Sequence, residues 1–266
     1  MNNLQLHVAD QVATVTLNRP EVRNAFNEAL IAEITQTFSD LGQRYDVRCI
    51  VLAANGPAFC AGADLNWMRS MADYTRDQNL ADAARLAAMM QTVYECPKPT
   101  IAKIQGDVYA GGTGLVAVCD MAVCVDTANF CLSEVKLGLV PSTISPYVIR
   151  AMGARAAHRY FLTAERFIAA EALRIGFVHE VVPAEQLDAK VAELAAALCN
   201  AGPGAVKLCK TLVQDVAGQA ITPELVRMTV ASIADVRVSP EGREGVQSFL
   251  QKRKPNWLLA SSPRKE

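Results

Sequence analysis

An α/β body carrying an all-helical C-terminal region is the fold class that three features of the 266-residue sequence predict. Up to about residue 183, short strand-like runs alternate with segments of helical periodicity. Beyond Pro183 the strand-like runs stop and one helical pattern follows another. Third, 51% of the residues are hydrophobic and 20% charged, enough to bury a sizeable core without disulfides or a metal.

Residues 4 to 18 read as two short strands about a turn at Ala9-Asp10, because Val12, Thr14, Thr16 and Asn18 alternate with Ala13, Val15 and Leu17. A helix follows, with Leu30, Ile31, Ile34, Phe38 and Leu41 at helical spacing behind Asn27, a side chain suited to the N-cap. Cys49 to Ala53 is then a buried strand. The order repeats as a helix whose apolar face is Leu80, Ala84, Ala87, Met90 and Tyr94, followed by a strand from Thr100 to Gln105. In the C-terminal region, Ala201-Gly202-Pro203-Gly204 and Ile221-Thr222-Pro223 separate helices, and Ser239-Pro240 suits an N-cap and first turn. The expected division is a body over residues 1–200 that holds the site, and a helical region over 201–266. Such a region packs on its own body or makes a subunit interface.

The formal net charge is -1, with Lys and Arg scattered, which argues against a surface that follows a nucleic-acid backbone or an anionic membrane. No window reaches the ~18 unbroken apolar residues of a membrane span, and Met1 to Asp10 lacks the basic head and apolar stretch of a secretory leader. The 8 cysteines lie mostly in apolar runs without a C-x-x-C pair, as reduced core thiols do. A cytoplasmic protein is therefore expected. His7, His158 and His179 share no metal-ligand spacing, so no metal site is expected.

Three stretches ask for more than a structural explanation: Phe59 to Leu65 (FCAGADL), Gly106 to Gly114 (GDVYAGGTG) and Leu132 to Pro141 (LSEVKLGLVP). Each follows or interrupts a predicted strand. The first two set small residues where a ligand can approach the main chain and leave amide N–H groups free to donate. A helix starting near Gly111 adds its positive end there. One glycine loop alone could simply be a turn, but two point to a site. A rival reading takes Gly112-Thr113-Gly114-Leu115-Val116-Ala117 as a G-x-G-x-x-A dinucleotide fingerprint with Glu134 about 20 residues on. Against it, Gly106 to Gly111 separate the glycines from the strand they should adjoin.

Taken in order, several segments carry a resemblance over almost the whole chain: Leu17-Asn18-Arg19-Pro20, Asn24-Ala25, the Phe59–Asp64 and Gly106–Gly114 loops, Pro141, Ala170-Glu171-Ala172 with Gly176-Phe177-Val178, and Phe249 to Lys254. The chain resembles the enoyl-CoA hydratase (crotonase) superfamily. That resemblance implies a spiral of ββα turns, a helical C-terminal region that assembles homotrimers or homohexamers, and an acyl-CoA thioester substrate, with no cofactor beyond the coenzyme A it carries. It also implies that the N–H groups of Ala63 and Gly111 form an oxyanion hole for the thioester enolate. Backbone donors suit this task because they are fixed before reaction and transfer no proton.

Hydratases of that family use paired carboxylates, and the sequence departs from the pattern. The first glutamate position, three residues beyond the oxyanion glycine, is Gly114; the second falls on Glu134, which is present. Glu134 is therefore the expected general acid/base, with Asp107, Tyr109, Thr113 or Ser133 as possible helpers. The expected reaction is hydration of a 2-enoyl-CoA. The alternatives are another enolate reaction, isomerisation or decarboxylation, and a catalytically silent CoA-binding protein. The run from Leu132 to Tyr147 is similar to bacterial 3-methylglutaconyl-CoA hydratase-like members. Such a branched substrate carries a second carboxylate, for which Arg69 and Arg76 are candidate partners. The substrate-binding set implied by the resemblance is Arg23, Phe249 and Lys252 for CoA, the last two from a neighbouring subunit, Leu65 and Met68 lining the acyl channel, and Ala61 and Gly114. Asp64 reads as a backbone cap and Cys60 as core packing.

Overall fold

The structure, a computed structural model, describes residues 3–259. The readings made above for Met1, Asn2 and residues 260–266 thus lie outside the described residues. Strands β1 (Leu4–Ala9) and β2 (Val12–Leu17) form an antiparallel hairpin. Its two-residue turn, Asp10 and Gln11, has positive φ at both positions (50° and 65°), the geometry that matches the twist of paired strands. Ala13, Val15 and Leu17 are wholly buried, as the alternation predicts.

Helix α1 (Glu28–Gln43) starts where Asn27 accepts a hydrogen bond from the Leu30 N–H at 2.8 Å, and it buries the predicted stripe of Leu30, Ile31, Ile34, Phe38 and Leu41. The chain then repeats a strand–strand–helix unit. The units are β3 (Cys49–Ala54) with β4 (Ala58–Cys60) and helices α2 (Leu65–Ala72) and α3 (Arg76–Tyr94); β5 (Thr100–Ile104) with β6 (Asp107–Tyr109) and α4 (Gly111–Val118); and β7 (Met121–Val125) with β8 (Asn129–Cys131) and α5 (Ser145–Thr163), which is broken at Gly153. The first strand of each unit joins one sheet, ordered β1-β2-β3-β5-β7-β10 and parallel from β2 onward; the second joins another, ordered β4-β6-β8-β9. β9 (Phe167–Ile168), α6 (Ala169–Arg174) and β10 (Glu180–Val182) complete these sheets. This is the α/β spiral the resemblance implies. The corner between strands is tight: at Gly106 a Cβ would overlap the carbonyl oxygen of Pro57.

One predicted helix face is corrected. In α3, Leu80 is 60% exposed and Ala84 also faces solvent; the buried residues are Met89, Met90, Val93 and Asp82. The first half of α3 is held instead by a Thr75–Gln78 capping box and by Asp82, which accepts from Trp67 Nε1 and Arg85. These polar ties replace burial there.

Helices α7 (Leu187–Asn200), α8 (Pro203–Val216), α9 (Pro223–Val238), α10 (Pro240–Leu250) and α11 (Asn256–Leu259) follow β10. α7 packs against β3, β5 and β7. α8 is anchored by Lys210, whose Nζ donates to Asp120 Oδ2 at 2.8 Å, and by Gln214 donating to the Tyr94 carbonyl. Ser239 caps α10 by accepting from the Gly242 N–H, and Glu241 in its first turn accepts from the Gly204 and Ala205 N–H groups of α8. α9 buries no residue; Val226, Val230 and Ile233 are each 47% exposed or more. No described helix is long and apolar enough to cross a membrane.

Candidate active site

Three neighbouring parallel strands, β4, β6 and β8, deliver the candidate residues to one end of the second sheet. Cys60 pairs with Val108, and Tyr109 with Cys131. Ala63, Gly111 and Glu134 therefore all leave the C-terminal ends of adjacent strands, the place where sheets of this kind bind ligands.

The Ala63 loop is held open by Phe26. The Phe26 N–H donates to the Gly62 carbonyl at 2.6 Å, and the Phe26 carbonyl accepts from the Asp64 N–H at 2.8 Å. In this parallel bridge the intervening residue, Ala63, keeps its own N–H out of the ladder. Gly111 is the first residue of α4, so its N–H has no carbonyl one turn back to accept it. The preceding Ala110 takes φ 46° and ψ −124°, a conformation costly for a residue with a side chain. It is locked by its N–H donating to the Cys131 carbonyl and by its carbonyl accepting from the N–H and hydroxyl of Thr113. The two loops touch at Gly62, which has φ +91°. A Cβ on Gly62 would stand 2.8 Å from Ala110 Cβ and 3.7 Å from the Gly111 nitrogen.

Behind these loops lies a polar strut whose role the sequence reading missed. Asn24, fully buried, donates to the carbonyls of Asn55 and Ala58 and accepts from the Arg19 N–H. Arg19 donates to the Ala25 carbonyl and pairs with Asp64 at 2.8 Å, their side chains being 14% and 8% exposed. Asp64 also caps α2 by accepting from the Asn66 N–H at 2.8 Å, the cap role read from the sequence. Burial opposes its ionisation, but the Arg19 guanidinium and the Asn66 and Trp67 amides outweigh burial and hold the carboxyl below its ordinary value. Arg19→Met is expected to lower unfolding stability by about 3 kcal/mol, since it strands a buried charge. A depressed carboxylate contributes stability above its unfolded pKa and loses it as pH falls through the folded one. Thermal melts should therefore show the gap between wild type and Arg19→Met narrowing in acid.

Glu134 opens a short 3-10 turn, Glu134–Leu137, directly after β8. Its Oε2 is buried without a hydrogen-bond partner among the described residues, and burial pushes the carboxyl above its ordinary range. A buried carboxylate oxygen without a partner costs stability, and groups of this kind concentrate at functional sites. Most of the candidate helpers are already engaged. Thr113 donates its hydroxyl to the Ala110 carbonyl; Tyr109 donates to Asp107; Asp107 also accepts from Asn129. Ser133 makes no side-chain cap bond. Cys60 is fully buried, its thiol pushed up to about 12 by desolvation, as suits core packing rather than a nucleophile.

Of the substrate-binding candidates, Ala61 donates its N–H to the Arg23 carbonyl at 3.0 Å, which ties Arg23 to the Ala63 loop. Leu65 (69% exposed) and half-buried Met68 follow on α2. Phe249, 82% exposed, and Lys252 stand at the end of α10, and no hydrogen bond or ion pair of the described residues joins them to this site. Gly114 is buried within α4; Ile144 and Met90 occupy the space in front of it. Gly112 likewise presses on Cys60, its Cβ position 2.7 Å from the Cys60 carbonyl oxygen. The G-x-G-x-x-A run thus lies inside a helix and packs against protein, and it forms no strand-to-helix phosphate loop.

The spiral α/β fold thus brings two unengaged main-chain donors, and a buried carboxylate whose Oε2 has no partner among the described residues, to the same sheet end. The sequence matches the Enoyl-CoA hydratase/isomerase family over residues 7–259, and the chain belongs to that family. It is 35% identical to Enoyl-CoA hydratase AKT6-1 of Alternaria alternata, covering 93% of this chain and 82% of that one. A crystal structure of an enoyl-CoA hydratase from Shewanella pealeana superposes with TM-score 0.93 at 42% identity, covering 96% of each chain. One from Mycobacterium smegmatis gives 0.91 at 34% identity, over 97% of this chain and 100% of that chain.

Proposed function

We propose that the chain hydrates a 2-enoyl-CoA thioester, with Glu134 as its one acid/base carboxylate. The buried, unpartnered Oε2 of Glu134 carries this reading. In the proposed reaction Glu134 takes a proton from water as the water oxygen bonds to Cβ, and the displaced π electrons pass to the thioester oxygen. The N–H groups of Ala63 and Gly111 hold that oxyanion. Protonated Glu134 then returns the proton to Cα, so that H and OH have been added across the double bond. The raised pKa of Glu134 makes both transfers easier to balance near neutral pH. Arg23, with Phe249 and Lys252 of a neighbouring copy, contacts the CoA moiety. The apolar side chains left in water along α8, α9 and α10 support self-association as a trimer or hexamer, and a cytoplasmic setting suits the free thiols.

A second reading, shift of a double bond from the 3- to the 2-position, is favoured by one observation: the space in front of Gly114 holds Ile144 rather than a second carboxylate. One carboxylate is enough to lift a proton from Cα and set it on Cγ. The branched 3-methylglutaconyl-type substrate rests on the Leu132–Tyr147 run alone. Arg69 is engaged with Asn66, and Arg76 has its side chain 88% exposed, so neither offers a second carboxylate a buried partner. The test is the absorbance of the conjugated thioester. Its loss with crotonyl-CoA, faster than with 3-methylglutaconyl-CoA, is the expected result. Its gain with a 3-enoyl-CoA and no loss with crotonyl-CoA would select the second reading. CoA-ester binding without turnover of any substrate would reject both.

A further inference from the structure

Folding gathers three cations that the sequence scatters. Arg48 stands just before β3, Lys98 just before β5 and Lys207 in the second turn of α8, and all three line one cavity of about 160 Å³. No acidic residue lines it. Among the described residues none of the three cations is in an ion pair. The carboxylates at this end of the molecule are engaged elsewhere: Asp46 pairs with Arg44, and Glu241 accepts from the Gly204 and Ala205 N–H groups. Because Glu241 takes up the start of α8, the cavity owes its charge to the side chains and not to a helix end. Arg48 is only 9% exposed. One of its five N–H donors goes to the Ala201 carbonyl at the end of α7, and no other hydrogen bond of the described residues takes the rest.

The three charges act on one another. Burial first, and then the charges of Arg48 and Lys207, hold the Lys98 ammonium below its ordinary value against the opposite pull of Cys96 and Asp46. In a chain whose net charge is -1, unpaired cations sharing one cavity call for a bound counter-charge. The occupant must be compact, since the cavity is smaller than the ~300–1,000 Å³ of pockets that enclose drug-sized ligands. A guanidinium fork and two ammonium groups match the oxygens of a phosphoryl group. We propose that this cavity binds a free inorganic anion of the phosphate type, phosphate or pyrophosphate. The body supplies Arg48 and Lys98 and the helical region supplies Lys207, so the anion bridges the two. It extends a seam already begun by Lys210, whose Nζ donates to the Lys98 carbonyl and to Asp120. The cavity lies at the N-terminal ends of β3 and β5, whereas Ala63, Gly111 and Glu134 leave the C-terminal ends of β4, β6 and β8, and none of these three lines it.

The test uses the full chain and pyrophosphate as the probe, with sodium chloride at equal ionic strength as the reference. Saturating pyrophosphate is expected to raise the wild-type Tm by about 5 °C, because an anion that binds only the folded state stabilises it by mass action. Calorimetric titration should show the pyrophosphate Kd weakened by about 10-fold or more in Lys98→Met and in Lys207→Met, the worth of one charged hydrogen bond. In chloride alone at low ionic strength the order reverses: Lys207→Met, which removes a repelling charge from an exposed position, should melt at or above wild type. A purely structural lysine would give a lower Tm in both buffers, and that result overturns the proposal. Two further outcomes do the same. One is no pyrophosphate effect on wild type. The other is an effect that survives in both lysine variants but vanishes in Arg23→Met, which would put the anion where the CoA phosphates are proposed to bind. Finally, ADP binding to the wild type as tightly as pyrophosphate, and weakened by the same two substitutions, overturns the assignment to a free inorganic anion.

Discussion

Glu134→Gln is expected to lower kcat by about 100- to 10,000-fold, the usual worth of a positioned acid/base, while acyl-CoA binding persists. Glutamine keeps the size and one acceptor of the side chain but can neither take nor return a proton. Among the described residues, Asp107, Tyr109 and Thr113 are hydrogen-bonded elsewhere, and Gly114 has no side chain to take the role over. Two readouts separate this from a structural effect. Because burial raises the Glu134 pKa, the acidic limb of the kcat/KM profile should lie above the ordinary carboxylate range and be lost in the variant. Stability should move the other way. A carboxyl with a raised folded pKa binds more protons folded than unfolded, so stability falls as pH rises from the unfolded value through the folded one. Glu134→Gln removes that penalty, and its Tm at neutral pH should equal or exceed wild type. A lower Tm with normal kcat would make Glu134 a structural residue.

Gly62→Ala is the second large effect expected, a fall of about 100- to 1,000-fold in kcat, the usual cost of losing an oxyanion donor. Gly62 takes part in no chemistry. It sits at φ +91° where the Ala63 loop meets the Gly111 loop, and an added methyl would press on Ala110 Cβ at 2.8 Å. Since Ala110 already holds a costly conformation that aims Gly111, the collision displaces both donors together. Gly218→Ala is the control. Its φ of +78° carries comparable backbone strain, about 1–2 kcal/mol, but nothing lies within 4 Å of its Cβ position. Steady-state kinetics should show a weakened Gly62→Ala and an ordinary Gly218→Ala. Equal activity in both would mean that the two donors are not held by this contact.

Much of this was legible before any coordinates. The Val12–Leu17 alternation, the α1 stripe behind Asn27, the start of α4 at Gly111 and the capped helices after Pro183 all follow from local periodicity and capping, which act within a few residues. The strands β4, β6 and β8 escaped that reading. Each spans three residues, too few to show a period, and each is held by pairing with a strand distant in sequence, β6 lying between β4 and β8. The Arg19–Asp64 pair, separated by 45 residues, is invisible for the same reason, although Leu17-Asn18-Arg19-Pro20 stands out as a motif. The α3 face failed because periodicity ranks residues by type, whereas Leu80 stands where nothing covers it.

By itself, the sequence determined which chemistry is on offer: one glutamate in an apolar run, two glycine loops with free amides, and a glycine where a second carboxylate was expected. Tertiary structure decided which of these meet. Parallel register sets Ala63, Gly111 and Glu134 at one sheet end, the Phe26 bridge frees one donor, and Ile144 fills the space in front of Gly114. The physical reason lies in range. Propensity and capping depend on neighbours along the chain, whereas exposure of an amide, the pKa of a carboxylate and the filling of a glycine's empty side depend on residues that only folding brings near.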